Sequence, residues 1–166
     1  MGRLSRLTEE KTLHRMNDVK EKILEVLPYG PPFRFVDELL RVDENSIEGV
    51  YTFREDEHFY AGHFKDRPVT PGVILTECMA QIGVACLGIY LSINDDSNSE
   101  NGQPAFAFTE SKVMFENPVF PGEKVHVISR KKYWRLGKLN CLVELYNDKQ
   151  ERVCVGELSG MVKMIE

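Results

Sequence analysis

Nineteen residues from Val73 to Leu91 carry a single charged side chain, Glu77, and otherwise read as one apolar helix. A run of this length is close to the ~20 residues that span a bilayer. Glu77, Thr76, Gln81 and two glycines inside it argue against a span, and no flanking basic anchors follow. The better reading is the core helix of a soluble domain, started by Thr70-Pro71-Gly72. The rest of the fold must then cover that helix, and Glu77 must have a partner or a task, because a carboxylic acid among apolar neighbours is costly.

The segments around the helix are short and strand-like. Phe33–Asp43 and Ser46–Arg54 precede it, joined by a turn at Asp43-Glu44-Asn45. After a polar loop over Ser92–Gln103 come Ala105–Phe115, Glu123–Trp134, Leu139–Asn147 and Arg152–Met164. In the third of these, Leu139, Cys141, Val143 and Leu145 alternate with Asn140, Leu142, Glu144 and Tyr146, mostly the pattern of a half-buried strand. Leu136-Gly137 and Asn147-Asp148 fit hairpin turns. Upstream, Val19, Ile23, Val26 and Leu27 share one face of a short amphipathic helix over Val19–Leu27, ended by Pro28 and the following Gly-Pro-Pro turn. The expectation is an α+β fold of about six strands, a curved and mostly antiparallel sheet wrapped around one long helix. Residues 1–18 form a flexible or helical tail, and 19–166 form one domain. Such a sheet leaves edges to cover, so pairing into a dimer is expected.

Bulk properties remove several function classes. A net charge of -5 opposes general nucleic-acid binding, which needs a basic surface. Cys78, Cys86, Cys141 and Cys154 form no CxxC pair and read as core residues of a reduced cytoplasmic protein. The charged N-terminus shows no secretory signal. There is no HExxH or HxH array, so neither a metal nor another cofactor is expected.

One place concentrates chemistry. Gly62-His63-Phe64 lies fourteen residues before Glu77, and the helix start falls between them. A histidine and a carboxylic acid facing one cavity beside a helix N-terminus can do acid–base work on an acyl thioester. The apolar helix should raise the Glu77 pKa and keep the acid partly protonated, able to donate. Gln81 projects from the same side one turn on. Gly72 sits where free backbone N–H groups converge and suits a thioester carbonyl that gains negative charge.

Four stretches extend this into a family pattern. They are Leu27-Pro28 through Pro32-Phe33 and Val36-Asp37; Phe59 through Gly62-His63-Phe64; Arg67-Pro68-Val69 through Pro71-Gly72-Val73, Glu77 and Met79-Ala80-Gln81; and Phe115 through Pro118-Val119 and Pro121-Gly122. In order and spacing the chain resembles the hotdog-fold 3-hydroxyacyl-[acyl-carrier-protein] dehydratases of the FabZ type. The resemblance implies His63 as the base that takes the C2 proton and Glu77 as the acid that helps the C3 hydroxyl leave, each from a different subunit of a dimer. It implies Gln81 as the group orienting Glu77, and three dimers as the assembly. Related dehydratase–isomerases carry aspartate at the acid position, so Glu77 implies dehydration without isomerisation. Phe59, Phe64, Val73 and Leu75 are candidates for an acyl tunnel. Arg130, Lys131, Lys132, Arg135 and Lys138 crowd one predicted hairpin and are candidates for docking an acidic acyl carrier protein, a solvated strand face being the competing reading.

The chain departs from the pattern in two places: the usual LPHR segment reads LPYG, and Lys65-Asp66 replaces the usual Pro-Gly after GHF. These leave chain length, carrier and pathway open, primary fatty acids or a specialised polyene. Two rivals stand beside the dehydratase. A hotdog acyl-thioesterase activates water at the thioester carbonyl and usually lacks the GHF histidine; a silent acyl-binding subunit needs neither His63 nor Glu77.

Overall fold

The apolar run is a single 22-residue helix, α2, over Gly72–Ile93, and 72% of its most apolar window is buried inside the protein. Long and apolar enough to cross a membrane by length and composition, it is instead covered by its own sheet. The computed structural model describes residues 16–95 and 103–165. The expected tail lies largely outside them, as does most of the Ser92–Gln103 loop.

Six strands surround the helix: β1 Glu38–Val42, β2 Ser46–Thr52, β3 Gln103–Phe115, β4 Lys124–Arg135, β5 Lys138–Asn147 and β6 Arg152–Ile165. They form one sheet in the order β1-β2-β4-β5-β6-β3, and every pair is antiparallel. Helix α1, over 16–26, packs Val19, Leu24 and Val26 onto the core and buries Ile23. In β5 the alternation reads as expected: Leu139, Cys141, Val143 and Leu145 are fully buried, and Leu142 is exposed. Each buried aliphatic side chain of this kind contributes about 1.5–3 kcal/mol relative to exposure. Leu136 and Gly137 turn β4 into β5 with φ of 50° and 76°, as the two-residue hairpin requires.

Inside α2, residues Gln81–Cys86 form a π-helical stretch between two α-helical halves. Here the helix comes closest to the sheet. A Cβ on Gly83 would stand 3.0 Å from both Ser129 Cβ and Val143 Cγ1. Glycine is therefore what the contact admits. The buried Ser129 hydroxyl donates to the Gly83 carbonyl at 2.8 Å, so the wide turn is tied to β4 by a hydrogen bond as well as by packing.

One expected strand is shorter than the pattern implies. Phe33–Asp43 is strand only over Glu38–Val42. The preceding residues run as a strap across α2, because their backbone groups are taken by a side chain rather than by a neighbouring strand. The Phe35 N–H donates to Gln81 Oε1 at 2.8 Å, and Gln81 Nε2 donates to the Phe33 carbonyl at 2.9 Å.

Candidate active site

His63 sits in a loop held at both ends. Its backbone carbonyl accepts from Val69 N–H at 3.0 Å, and its Nδ1 lies 2.9 Å from the Val69 carbonyl. A carbonyl only accepts, so Nδ1 carries the hydrogen and the neutral ring keeps its lone pair on Nε2. That is the tautomer a general base needs. The Phe64 ring stacks on the imidazole with centroids 4.0 Å apart.

Glu77 projects half-buried from the first half of α2. Gln81, one turn on and 0% exposed, donates from Nε2 to Glu77 Oε1 at 2.9 Å. The Gln81 amide has no freedom to flip: its oxygen faces the Phe35 N–H and its nitrogen faces the Phe33 carbonyl. Its second N–H must therefore point at Glu77. One carboxyl oxygen is held as an acceptor, which leaves Oε2 to carry and give up a proton.

Glu77 faces a cleft of about 400 Å³ between α2 and β3, lined by Val73, Thr76, Phe108, Ser111 and Phe115 among others. A bulge between Phe108 and Glu110 sets this wall. On either side of it Phe106 and Phe108, then Ser111, Val113 and Phe115, stand opposite Val162, Gly160, Leu158, Gly156 and Cys154, all facing the helix. Periodicity alone does not reveal this row, because the bulge breaks the alternation. A second, smaller pocket also touches Glu77, shares Phe108 with the cleft and includes Tyr29.

The larger cleft near β1 and β2, about 600 Å³, is lined by neither Glu77 nor His63. Four of its polar side chains pair with one another: Arg54 with Asp37 at 2.9 Å, Arg54 with the Tyr51 hydroxyl at 2.9 Å, and Tyr51 with Glu57.

The other expected residues distribute unevenly. Gly72 opens α2, and a Cβ there would stand 3.1 Å from the Phe115 ring, so packing as well as substrate approach asks for glycine. Val73 is 76% exposed and lines the Glu77 cleft. Phe59 joins an aromatic cluster with Phe53 and Tyr60, Leu75 is buried in the core, and Phe64 is 57% exposed beside His63. The basic hairpin lies at the far end of α2: Gly137 and Gly88 both approach Val162. Gly88 is eleven residues beyond Glu77, about 16 Å along a helix. Arg130 pairs there with Glu144 at 2.9 Å and Lys132 with Glu157 at 2.7 Å.

His63 is not among the residues lining either cavity that Glu77 faces. The four cysteines are free and buried. Burial pushes the Cys86 and Cys154 thiols up to about 12 and Cys141 to about 11, so they stay protonated and inert. Among the described residues no cluster of three or more His, Cys, Asp or Glu is placed to hold a metal.

An antiparallel sheet wrapped around one long helix, with an acid on that helix, defines the hotdog class. The dehydratase heterocomplex ApeI:P from Xenorhabdus doucetiae shares the fold with a TM-score of 0.69 over 85% of this chain and 90% of that one, at 13% identity. A hypothetical thioesterase with coenzyme A from Streptococcus pneumoniae shares it at 0.58 over 76% and 85%, at 10% identity. Within that class the chain belongs to the FabA-like family, whose domain matches residues 27–150. It is 32% identical over 145 residues to the 3-hydroxyacyl-[acyl-carrier-protein] dehydratase FabZ of Bartonella henselae, covering 86% of this chain and 88% of the relative. It is 34% identical over 146 residues to the FabZ of Caldicellulosiruptor saccharolyticus, covering 85% and 96%.

Proposed function

We infer that the chain is a 3-hydroxyacyl-[acyl-carrier-protein] dehydratase of fatty-acid biosynthesis, a hydro-lyase that forms trans-2-enoyl thioesters. The observation that carries this reading is the Glu77 carboxyl, held by Gln81 at the wall of an apolar cleft, with one oxygen left free. In the reaction, His63 Nε2 takes a proton from C2 while the thioester carbonyl draws negative charge, which the first amides of α2 are suited to receive. The C2–H electron pair becomes the C2=C3 double bond. The C3–O bond breaks with its electrons on oxygen, and the Glu77 proton completes a water molecule. The base is left protonated and the acid ionised, and solvent resets both.

The shared site needs a second copy of the chain. Among the described residues β3 ends the sheet with a row of backbone groups facing no other strand, and exposes Phe108, Met114 and Phe115. Joined edge to edge, two copies give each Glu77 a partner's His63; further assembly into three dimers rests on the family resemblance. An acidic carrier protein is the fitting donor of the thioester, with Arg130, Lys131, Lys132, Arg135 and Lys138 as its proposed docking surface. Four free, buried cysteines are compatible with the reducing cytoplasm.

The test is hydration of a trans-2-enoyl thioester, followed as loss of enoyl absorbance, on acyl-carrier-protein and small-thiol carriers. Turnover that disappears in His63→Ala supports the reading. Thioester cleavage in its place, or binding without either reaction, overturns it.

A further inference from the structure

The smaller pocket beside Glu77 is too small for the substrate. It measures about 20 Å³ and is lined by Tyr29, Glu77, Ala80, Val84, Phe106 and Phe108 among others. A water molecule needs only ~10–15 Å³ of such space together with two to four polar partners. An acyl chain of several carbons does not fit without displacing the aromatic rings, and the neighbouring cleft, about 400 Å³, is the room available to it.

Two polar side chains line this otherwise apolar pocket. One is Glu77, whose Oε1 is already taken by Gln81. The other is Tyr29, whose hydroxyl makes no hydrogen bond to any described residue. Burial first, and then the charge of Glu77, push the Tyr29 phenol up to about 12. It therefore stays neutral, able both to donate and to accept. Tyr29 is also this chain's own feature, standing where LPHR has become LPYG.

We propose that this pocket is the water site of the reaction, holding the water that leaves C3 between Glu77 and the Tyr29 hydroxyl while the acyl thioester occupies the larger cleft. This rests on the dehydratase reading. In dehydration, the departing oxygen takes the Glu77 proton and the new water moves across into hydrogen bonds with both side chains. In hydration, the same water adds its oxygen to C3 and gives its proton to the Glu77 carboxylate, while the C2=C3 electron pair moves to C2 and takes the proton held on His63 Nε2. Tyr29 is a positioning residue: it orients the water and exchanges no proton with substrate.

The experiment compares wild type with Tyr29→Phe, which keeps the ring, and Ala85→Val, which fills the pocket from α2. Trans-2-enoyl thioesters of increasing chain length are the probes, and thermal unfolding checks that each variant is folded. The expected result is a kcat about tenfold lower in both variants, by the same factor at every chain length, with KM little changed. In Tyr29→Phe the acidic limb of the hydration pH profile moves to higher pH, because the ionised carboxylate loses a donor. Should long chains alone suffer, the pocket is an acyl slot and the proposal falls. Wild-type kcat with an unmoved pH profile in Tyr29→Phe overturns it as well. Failure of the dehydratase reading looks different: wild type itself does not hydrate the probes, or Glu77→Gln hydrates them unimpaired.

Discussion

The two halves of α2 are built from similarly apolar sequence and do opposite things. The first, Gly72–Ala80, leaves Val73 in the open, half-exposes Glu77 and faces the unpaired β3 side of the sheet. The second, from Gln81 on, buries Gln81 through Ile89 and brings Gly83 and Gly88 against side chains of β4, β5 and β6. What separates them is the strand opposite. Where the sheet is complete, small residues let the helix close on it. Where the sheet ends, the helix borders an open cleft and can carry an acid. Gln81 sits at the border and serves both halves, closing the strap over the core and holding Glu77.

Substitutions can drive that contrast apart. Glu77→Gln should lower kcat by about 10²–10⁴-fold, the range for a positioned acid, with an unchanged melting temperature. Mixed with His63→Ala under proven subunit exchange, it should regain about a quarter of wild-type activity, because half of the dimers are mixed and each has one intact site. No regain would break the shared-site reading. Gln81→Leu should cost activity and stability together: the Phe33 carbonyl and Phe35 N–H lose their partner, at about 1–3 kcal/mol each. Denaturant unfolding beside steady-state kinetics would read both. In the far half, Gly83→Ala forces a methyl against Ser129 and Val143 and should cost about 1–3 kcal/mol, or several degrees of melting temperature, at wild-type kcat. A kcat loss as large as that of Glu77→Gln would erase the distinction. The smallest effect belongs to Lys132→Ala, whose ion pair with Glu157 is half-exposed and adds little to stability. If the hairpin docks the carrier, this variant raises KM for carrier-borne substrate a few-fold and leaves small-thiol substrates unaffected.

Much of this was legible in residue order. The apolar run marks α2, alternation marks the later strands within one or two residues, and the GHF motif with the following glutamate marks the two residues proposed as base and acid. The strap was not. Phe33 and Phe35 alternate as a strand would, and only the partner of their backbone groups, a side chain 48 and 46 residues away, makes the difference. The β3 wall was hidden by its bulge, which changes which residues share a face. Tyr29 read as part of a departure from the LPHR segment; its place beside Glu77 depends on how the strap crosses α2.

The π-helical stretch has a consequence for residue count. A turn wider than α accommodates an additional residue, and in an α-helix each residue advances the side-chain direction by about 100°. Deleting one residue within Gln81–Cys86 would therefore let the turn tighten to α while the two halves keep nearly the same bearing, whereas a deletion in the α-helical turn between Glu77 and Gln81 would rotate everything before it by about 100°. With the second half locked onto β4 and β5, that second deletion would aim Glu77 away from the cleft. The wide turn is thus a place where the residue count can change without changing the aim of the acid.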